Sequence, residues 1–110
     1  MGVSKSGLFT ESHNKIADMA KALAHPARIA IIEYLLKAKS CICGDIVNEL
    51  PLAQPTVSQH LKELKNAGFI KGTVEGTAIC YCLDKDAVVM LRDYFDAISS
   101  QLNSDSEDCC

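Results

Sequence analysis

The chain has 110 residues, 48% of them hydrophobic, and its 14 acidic and 11 basic side chains give a formal net charge of −3. This length fits one domain, and no apolar run approaches the ~20 residues that a membrane-spanning helix needs. The acidic balance excludes a protein that coats nucleic acid through charge alone. Three of the acidic residues lie within positions 103–110, so the rest of the chain is neutral and any DNA contact must rest on a local basic patch.

Hydrophobic periodicity predicts an unstructured segment over residues 1–9, a folded domain over 10–102 and an acidic, cysteine-ended tail over 103–110. The first helix is predicted from about residue 10 to 23. Pro26 then begins a second helix over 26–38, because the residue before a proline is driven out of helical geometry. The predicted inward side chains of this helix are Ile29, Ile32, Leu35 and Leu36. A short third helix is predicted over residues 43–50.

The fourth predicted helix begins at about residue 54 and stops at Gly68. Val57, Leu61 and Leu64 recur at helical spacing and are predicted to face the core. Short hydrogen-bonding side chains come first on the other faces and lysines follow, which suits a helix that reads base edges and touches phosphates. The predicted DNA contacts, including one on the following strand, are Gln54, Thr56, Ser58, Gln59, His60, Lys62, Lys65 and Lys71.

Beyond Gly68 the apolar spacing changes to two, which predicts strands over residues 69–74 and 77–83 around a turn at Glu75-Gly76. In the second strand the face carrying Ile79 is predicted to lie on the core, and the face carrying Cys80 and Cys82 to point away. A last helix is predicted over residues 85–102, capped by Asp84, with one continuous apolar stripe.

Two helices joined by a short turn and followed by a hairpin predict a winged helix-turn-helix. The expected fold is mainly α with a small β-hairpin (α+β), with about five helices and a two-stranded wing. The apolar stripes of the first and last helices are left to pair two copies of the chain, so we expect a homodimer.

Six cysteines in a chain whose first residues lack the apolar core of a signal peptide predict reduced thiols and a cytoplasmic location. Cys41 and Cys43 are two residues apart, and such thiolate pairs favour soft ions. The pair provides two sulfurs, whereas trivalent arsenic binds best to three. The third is expected from the tail pair Cys109 and Cys110; the alternative source is Cys80 and Cys82 in the wing.

Three segments together resemble the ArsR/SmtB family of metal-responsive repressors, over roughly residues 13–102. They are Ala22-Leu-Ala-His-Pro-Ala-Arg-Ile-Ala-Ile-Ile, Gln54-Pro-Thr-Val-Ser-Gln-His-Leu-Lys-Glu-Leu, and Gly68-Phe-Ile with Tyr81-Cys-Leu. The resemblance implies a homodimeric repressor that binds double-stranded operator DNA. It also implies no enzymatic activity, no organic cofactor and no membrane. Ser58 and His60 do not argue against this, because residues two apart on a helix do not face each other.

Cys41-Ile-Cys43 resembles the cysteine pair of the arsenic-sensing branch, which implies As(III) or a similar thiophilic ion as inducer. The chain departs from that branch, because Gly44 stands before Asp45 and the position of a third cysteine holds Val47 or Asn48. The family's other site, with acidic and histidine ligands on the last helix, is poorly matched. Two alternatives stay open: a repressor switched by cysteine oxidation, and a zinc-stabilised interaction module using Cys41, Cys43, Cys80 and Cys82.

Overall fold

The structure, a computed structural model, describes residues 8–38, 42–43, 50–76 and 78–105. Within these ranges the elements are α1 (Glu11–Leu23), α2 (Pro26–Ala38), β1 (Ile42–Cys43), α3 (Gln54–Asn66), β2 (Ile70–Glu75), β3 (Ala78–Leu83) and α4 (Lys85–Asp105). None of the four helices described combines the length and the apolar character needed to cross a bilayer.

The helix ends follow local chemistry. Thr10 and His13 form a reciprocal capping box at the start of α1, with the Thr10 hydroxyl accepting from the His13 amide at 3.0 Å. Pro26 begins α2 at the predicted residue. Gly68 follows α3 with φ of 90°, a left-handed conformation that costs glycine little. Asp84 caps α4 as predicted, because its carboxylate accepts from the Asp86 amide at 3.0 Å.

The predicted wing is present, and a third strand joins it. All pairs are antiparallel and the strand order is β1-β3-β2, so β3 is the central strand. The prediction of a helix beginning at Cys43 is wrong at that residue, because Cys43 lies in β1 opposite Cys80. In an antiparallel ladder such pairing satisfies backbone groups with the partner strand instead of a helical turn. The rest of that predicted helix, residues 44–49, lies outside the described residues, as do residues 1–7 and the end of the tail.

The core lies where α1, α2, α3 and the base of the wing meet. Its fully buried large side chains are Met19, Ile31, Leu61, Leu64, Val57, Cys80 and Phe69. The predicted core positions of α3 are therefore confirmed. In α2 the prediction is wrong for Ile29 and Leu36, which are exposed, since Ile31 and Leu35 form the buried side instead. An apolar character almost all round this helix left its inner face poorly defined by sequence.

The predicted faces of the second wing strand are confirmed at Tyr81 and Leu83, which pack against the core, and are wrong for Ile79 and Cys80. Cys80 is 2% exposed, whereas Ile79 is 49% exposed. Ile79 lies beside the hairpin tip, opposite Val74, which is itself exposed. Cys80 lies between β1 and β2, where neighbouring strands cover it from both sides.

Candidate nucleic-acid interface and thiol cluster

The candidate nucleic-acid interface is the outer face of α3. Its inner face is anchored in the core by Val57, Leu61 and Leu64, each at most 2% exposed. Burial at i, i+4 and i+7 fixes the rotation of the helix about its axis. All but one of the side chains predicted to contact DNA are exposed on this helix or on the adjoining strand. The exposed ones are Gln54, Thr56, Ser58, Gln59, Lys62, Lys65 and Lys71.

The start of α3 has no side-chain cap, because its N-cap residue is Ala53. Pro55 in the first turn has no N–H, and the Thr56 and Val57 amides donate to the Ala53 carbonyl at 3.0 and 3.1 Å. The N-terminal end of a helix carries a partial positive charge. Such a helix end attracts phosphate. The geometry therefore suits an approach to DNA by the N-terminal half of α3.

Lys65, on the flank of α3, lies against the wing. Lys65 Nζ lies 3.6 Å from the position that a Cβ on Gly72 would occupy, so its ammonium group sits over β2. Lys71 is exposed on the same strand, and Lys62 is exposed one turn earlier in the helix. In the described part of this surface the acidic side chain is that of Glu63, which accepts a hydrogen bond from the side-chain amide of Gln59 at 3.0 Å. Lys62 and Lys65 therefore lie one turn apart on the exposed side of α3, whereas Lys71 belongs to the face of β2 opposite to the one that Lys65 approaches.

His60 is the exception among the predicted DNA contacts. It is only 6% exposed, and its burial contradicts the prediction that it contacts DNA. Arg28 Nε donates to His60 Nδ1 at 3.1 Å, and the ring of His25 lies against that of His60 with centroids 4.4 Å apart. Burial, with further contributions from His25 and Arg28, lowers the pKa of His60 below its ordinary value. Its neutral ring therefore acts as packing beneath the reading surface.

Arg28 is the residue that sequence reasoning missed. It also donates through a terminal nitrogen to the Ala22 carbonyl at 3.2 Å, so one guanidinium joins the end of α1, the start of α2 and the underside of α3. An arginine two residues inside an apolar helix was the available signal. Because hydrogen bonds hold the guanidinium in place, it fixes the position of α3 relative to α2.

The thiols are distributed differently from the prediction. Cys43 lies in β1 with Cys80 of β3 as its Cα partner. Cys80 is buried, Cys82 is half-buried, and both are in disulfide bonds. Cys41, Cys109 and Cys110, which were predicted to bind metal, lie outside the described residues. Within the described residues no cluster of three or more histidine, cysteine or acidic side chains is arranged to hold a metal ion.

Comparison with known proteins identifies the family. Residues 25–71, which contain α2, β1 and α3, match the family described as bacterial regulatory protein, arsR family. An uncharacterized HTH-type transcriptional regulator of Methanocaldococcus jannaschii is 40% identical over 79 residues, which cover 71% of this chain and 88% of that protein. The chain belongs to the ArsR family. It is a DNA-binding transcriptional regulator and not an enzyme.

Other relatives carry more specific names. The HTH-type transcriptional repressor SmtB of Mycobacterium tuberculosis is 42% identical over 66 residues, 60% of this chain, and the match spans only 48% of that repressor. The cadmium resistance regulatory protein CadC homolog of Staphylococcus aureus is 34% identical over 80% of this chain and 73% of its own length. The arsenical resistance operon repressor of Staphylococcus xylosus is 25% identical over 81% of this chain and 85% of its own length.

Solved structures support the fold. A crystal structure of an ArsR family transcriptional regulator superposes with a TM-score of 0.74 at 18% identity, covering 82% of this chain and 92% of that one. The homodimeric winged helix-turn-helix DNA-binding domain of a possible ArsR-family regulator from Mycobacterium bovis gives 0.64 at 20% identity, covering 96% and 99%. The winged helix-turn-helix prediction is therefore confirmed, with four helices in the described residues against about five predicted.

Proposed function

We propose that the chain is a homodimeric repressor that leaves its operator when a thiophilic metal or metalloid ion binds its cysteines, with As(III) as the first candidate. Cys41 and Cys43 provide two thiolates, and a third comes from Cys109 or Cys110 or from the wing. The observation that carries the proposal is the position of Cys43, in a strand that joins the wing within a DNA-reading fold. An ion held there acts on the reading surface through backbone pairing.

The donor chemistry fits this class of ion. Sulfur ligands favour soft ions over Mg²⁺ or Ca²⁺, which take oxygen ligands. Two named relatives point the same way, since one is called a cadmium resistance regulator and another an arsenical resistance repressor. The last helix offers no histidine ligand, because α4 contains no histidine.

The homodimer is supported by the exposed apolar stripe of α4. Val88, Phe95 and Leu102 are each at least 48% exposed along this 21-residue helix. The M. bovis domain with the same fold is a homodimer. Two reading helices related by a two-fold axis enter successive major grooves about 34 Å apart, or a multiple of it. We expect a DNA-binding repressor that acts in the cytoplasm.

Release of operator DNA tests the proposal directly. Reduced protein bound to its own promoter fragment is titrated with As(III), Sb(III), Cd(II), Zn(II) and peroxide, with binding followed by fluorescence anisotropy. We expect As(III) to weaken DNA binding by about 5- to 150-fold, the range of typical allosteric couplings. Cys41→Ser or Cys43→Ser should keep DNA binding and lose this response. Full induction of the double variant would exclude this thiol pair.

The same titration separates the remaining alternatives. Release by peroxide alone, with no response to any ion, would favour a repressor switched by oxidation. A zinc-stabilised module would be unfolded without metal, so circular dichroism of the chelator-treated chain decides this alternative. We expect that sample to keep its helical signal, since the core is built from apolar side chains of five elements and not from ligands.

A further inference from the structure

A buried pair of side chains joins the reading helix to the start of α2. His60 of α3 is only 6% exposed, and its Nδ1 accepts a hydrogen bond from Arg28 Nε at 3.1 Å. Since Nδ1 accepts, the neutral ring carries its proton on Nε2. Nε2 is buried and has no hydrogen-bond partner in the part of the chain that the structure describes. The ring is therefore held by one hydrogen bond, which an imidazole makes only when it is neutral.

A proton on Nδ1 would remove that bond. Both ring nitrogens of a protonated histidine are donors, and a guanidinium has donors but no acceptor. Two donors and two positive charges would then face each other where His60 and Arg28 are now 3.1 Å apart. A buried charge without a partner is costly. The two side chains must therefore separate when His60 gains a proton.

The surroundings do not compensate a charge on His60. The ring of His25 lies against it, with centroids 4.4 Å apart, and can become positive itself. No carboxylate of the described residues accepts a hydrogen bond from the His60 ring, because one nitrogen is bonded to Arg28 and the other is unpartnered. β2, which also packs against α3, adds Lys71, whose side chain is exposed. The other charged side chains border Arg28 in a cleft between α1 and α3, where with Arg28 they make two positive and two negative charges: Asp18, Lys21 and Glu63.

This setting keeps His60 neutral at neutral pH. Burial, with further contributions from His25 and Arg28, lowers the pKa of His60 below its ordinary value of about 6.5. The bond to Arg28 is therefore intact at neutral pH and is lost only in acid, as pH falls below about 6.5 toward the folded pKa.

His60 lies directly beneath the side chains that are predicted to read DNA. It follows Gln59 in α3, and Gln59 is exposed on the outer face of that helix. Arg28 also donates to the Ala22 carbonyl at 3.2 Å, so the pair connects α3 to the end of α1 as well as to α2. Binding side chains work only when they are held within about 0.5 Å of their productive positions. Separation of His60 from Arg28 is therefore large enough to disturb reading.

We infer that Arg28 and His60 are a positioning pair that a proton on His60 disconnects, so that acid weakens operator binding. The effector is the hydrogen ion, and no cysteine or thiophilic ion takes part, so the inference goes beyond the function proposed above. Nδ1 takes up one proton and returns it when the pH rises, which makes the effect reversible. Its sign is opposite to that of simple electrostatics, because added positive charge on a protein ordinarily strengthens binding to phosphates.

Operator affinity against pH provides the first test. Reduced full-length protein is titrated onto its own promoter fragment from pH 7.5 to 4.5, at fixed ionic strength and without added metal, with binding followed by fluorescence anisotropy. Affinity should be constant above about pH 6.5 and then fall by up to about tenfold per pH unit, the limit for one proton. A rise in acid, or no fall before far-ultraviolet circular dichroism shows loss of helix, would overturn the inference.

His60→Asn tests whether His60 is the group that takes up the proton. The amide oxygen of asparagine can replace Nδ1 as an acceptor for Arg28, and it does not titrate. Relative to its own affinity at pH 7.5, this variant should lose the acid-induced fall, whereas a merely structural role would lower affinity equally at every pH. His13→Gln removes an exposed histidine as the matched control and should keep the fall. Persistence of the fall in folded His60→Asn would contradict the inference.

His25→Asn leaves His60 in place and so does not depend on the fold of the first variant. It removes a neighbour that disfavours protonated His60, so affinity should begin to fall at a higher pH than in the unaltered chain. Asparagine also keeps an acceptor for the Ala27 amide, which donates to His25 Nδ1 at 3.1 Å. The chain has three histidines, so one variant of each assigns the three ring signals in an NMR titration. We expect the His60 signal and the operator affinity to change at the same pH in both proteins; different midpoints would refute the inference.

Discussion

α3 and α4 are both amphipathic helices, but within one chain only α3 has its apolar side buried. In α3 the apolar side is buried by the chain's own core, with Val57 and Leu64 fully covered. In α4, which is longer, Ala87 near its start is buried, and Phe95 and Leu102 further along are 60% and 58% exposed. A stripe of that size on a regulator is an interaction surface. The difference separates a reader fixed within one chain from a helix whose apolar stripe packs against a second chain in the proposed homodimer.

A charge on the α4 stripe should have the largest effect. Ile98→Glu places a carboxylate in the proposed contact between copies, where it would be desolvated without a partner. We expect monomers by light scattering and operator binding weakened by about 10²-fold or more, since two linked half-sites gain that much avidity. Ser100→Glu adds the same charge on the opposite side of α4 and should stay dimeric. A dimeric, DNA-competent Ile98→Glu would refute the assignment.

Shortening one leucine on each helix sharpens the comparison. Leu64→Ala in α3 should cost about 2–5 kcal/mol of unfolding free energy, because it leaves a cavity in a packed core. Leu102→Ala should act by weakening the dimer, so its effect on the urea midpoint should depend on protein concentration. Urea unfolding at two concentrations tests both. Equal, concentration-independent costs would mean that α4 is not an interface.

The outer face of α3 predicts two separable losses. Lys65→Ala should weaken binding to every DNA sequence and reduce the slope of log affinity against log salt by about one. Gln59→Ala should cost about 1–3 kcal/mol of discrimination between operator and altered sites, because its amide can pair with a base edge. Lys37→Ala, at the end of α2, removes the same charge as a control. Unchanged binding in both α3 variants would exclude this helix as the reader.

The smallest effect concerns His60 and pH. Burial, assisted by His25 and Arg28, lowers its pKa in the folded chain, so the unfolded chain binds the proton more readily. The resulting stability is present above the unfolded pKa of about 6.5 and is lost as pH falls through that value toward the folded pKa. Urea midpoints between pH 7.5 and 5 should fall less for His60→Gln than for the unaltered chain. Parallel curves would contradict the assignment.

Local signals made most of the fold predictable. Pro26 and Asp84 mark helix starts by their own chemistry, and α2 has the predicted bounds. The pairing of Cys43 with Cys80 was not predictable, because a two-residue strand has no periodicity and its partner is distant in sequence. The burial of His60 had a signal, since it lies three residues after Val57 on the apolar side. A polar ring is buried where its nitrogens find partners, and the partner of His60 Nδ1 is Arg28 on another helix, which the local sequence pattern does not indicate.

The junction at Gly68 has a mechanical consequence. The Phe69 carbonyl accepts from the Asp84 amide at 2.8 Å, and α4 starts at the next residue, so the end of the reading helix and the root of α4 share one joint. The 21 residues of α4 form a rod about 31 Å long. Tilting such a rod by about 5° moves its far end by about 3 Å at this length. In a pair of chains, a small change at this junction would thus alter the distance between the two reading helices, so that it no longer matches the helical repeat of DNA.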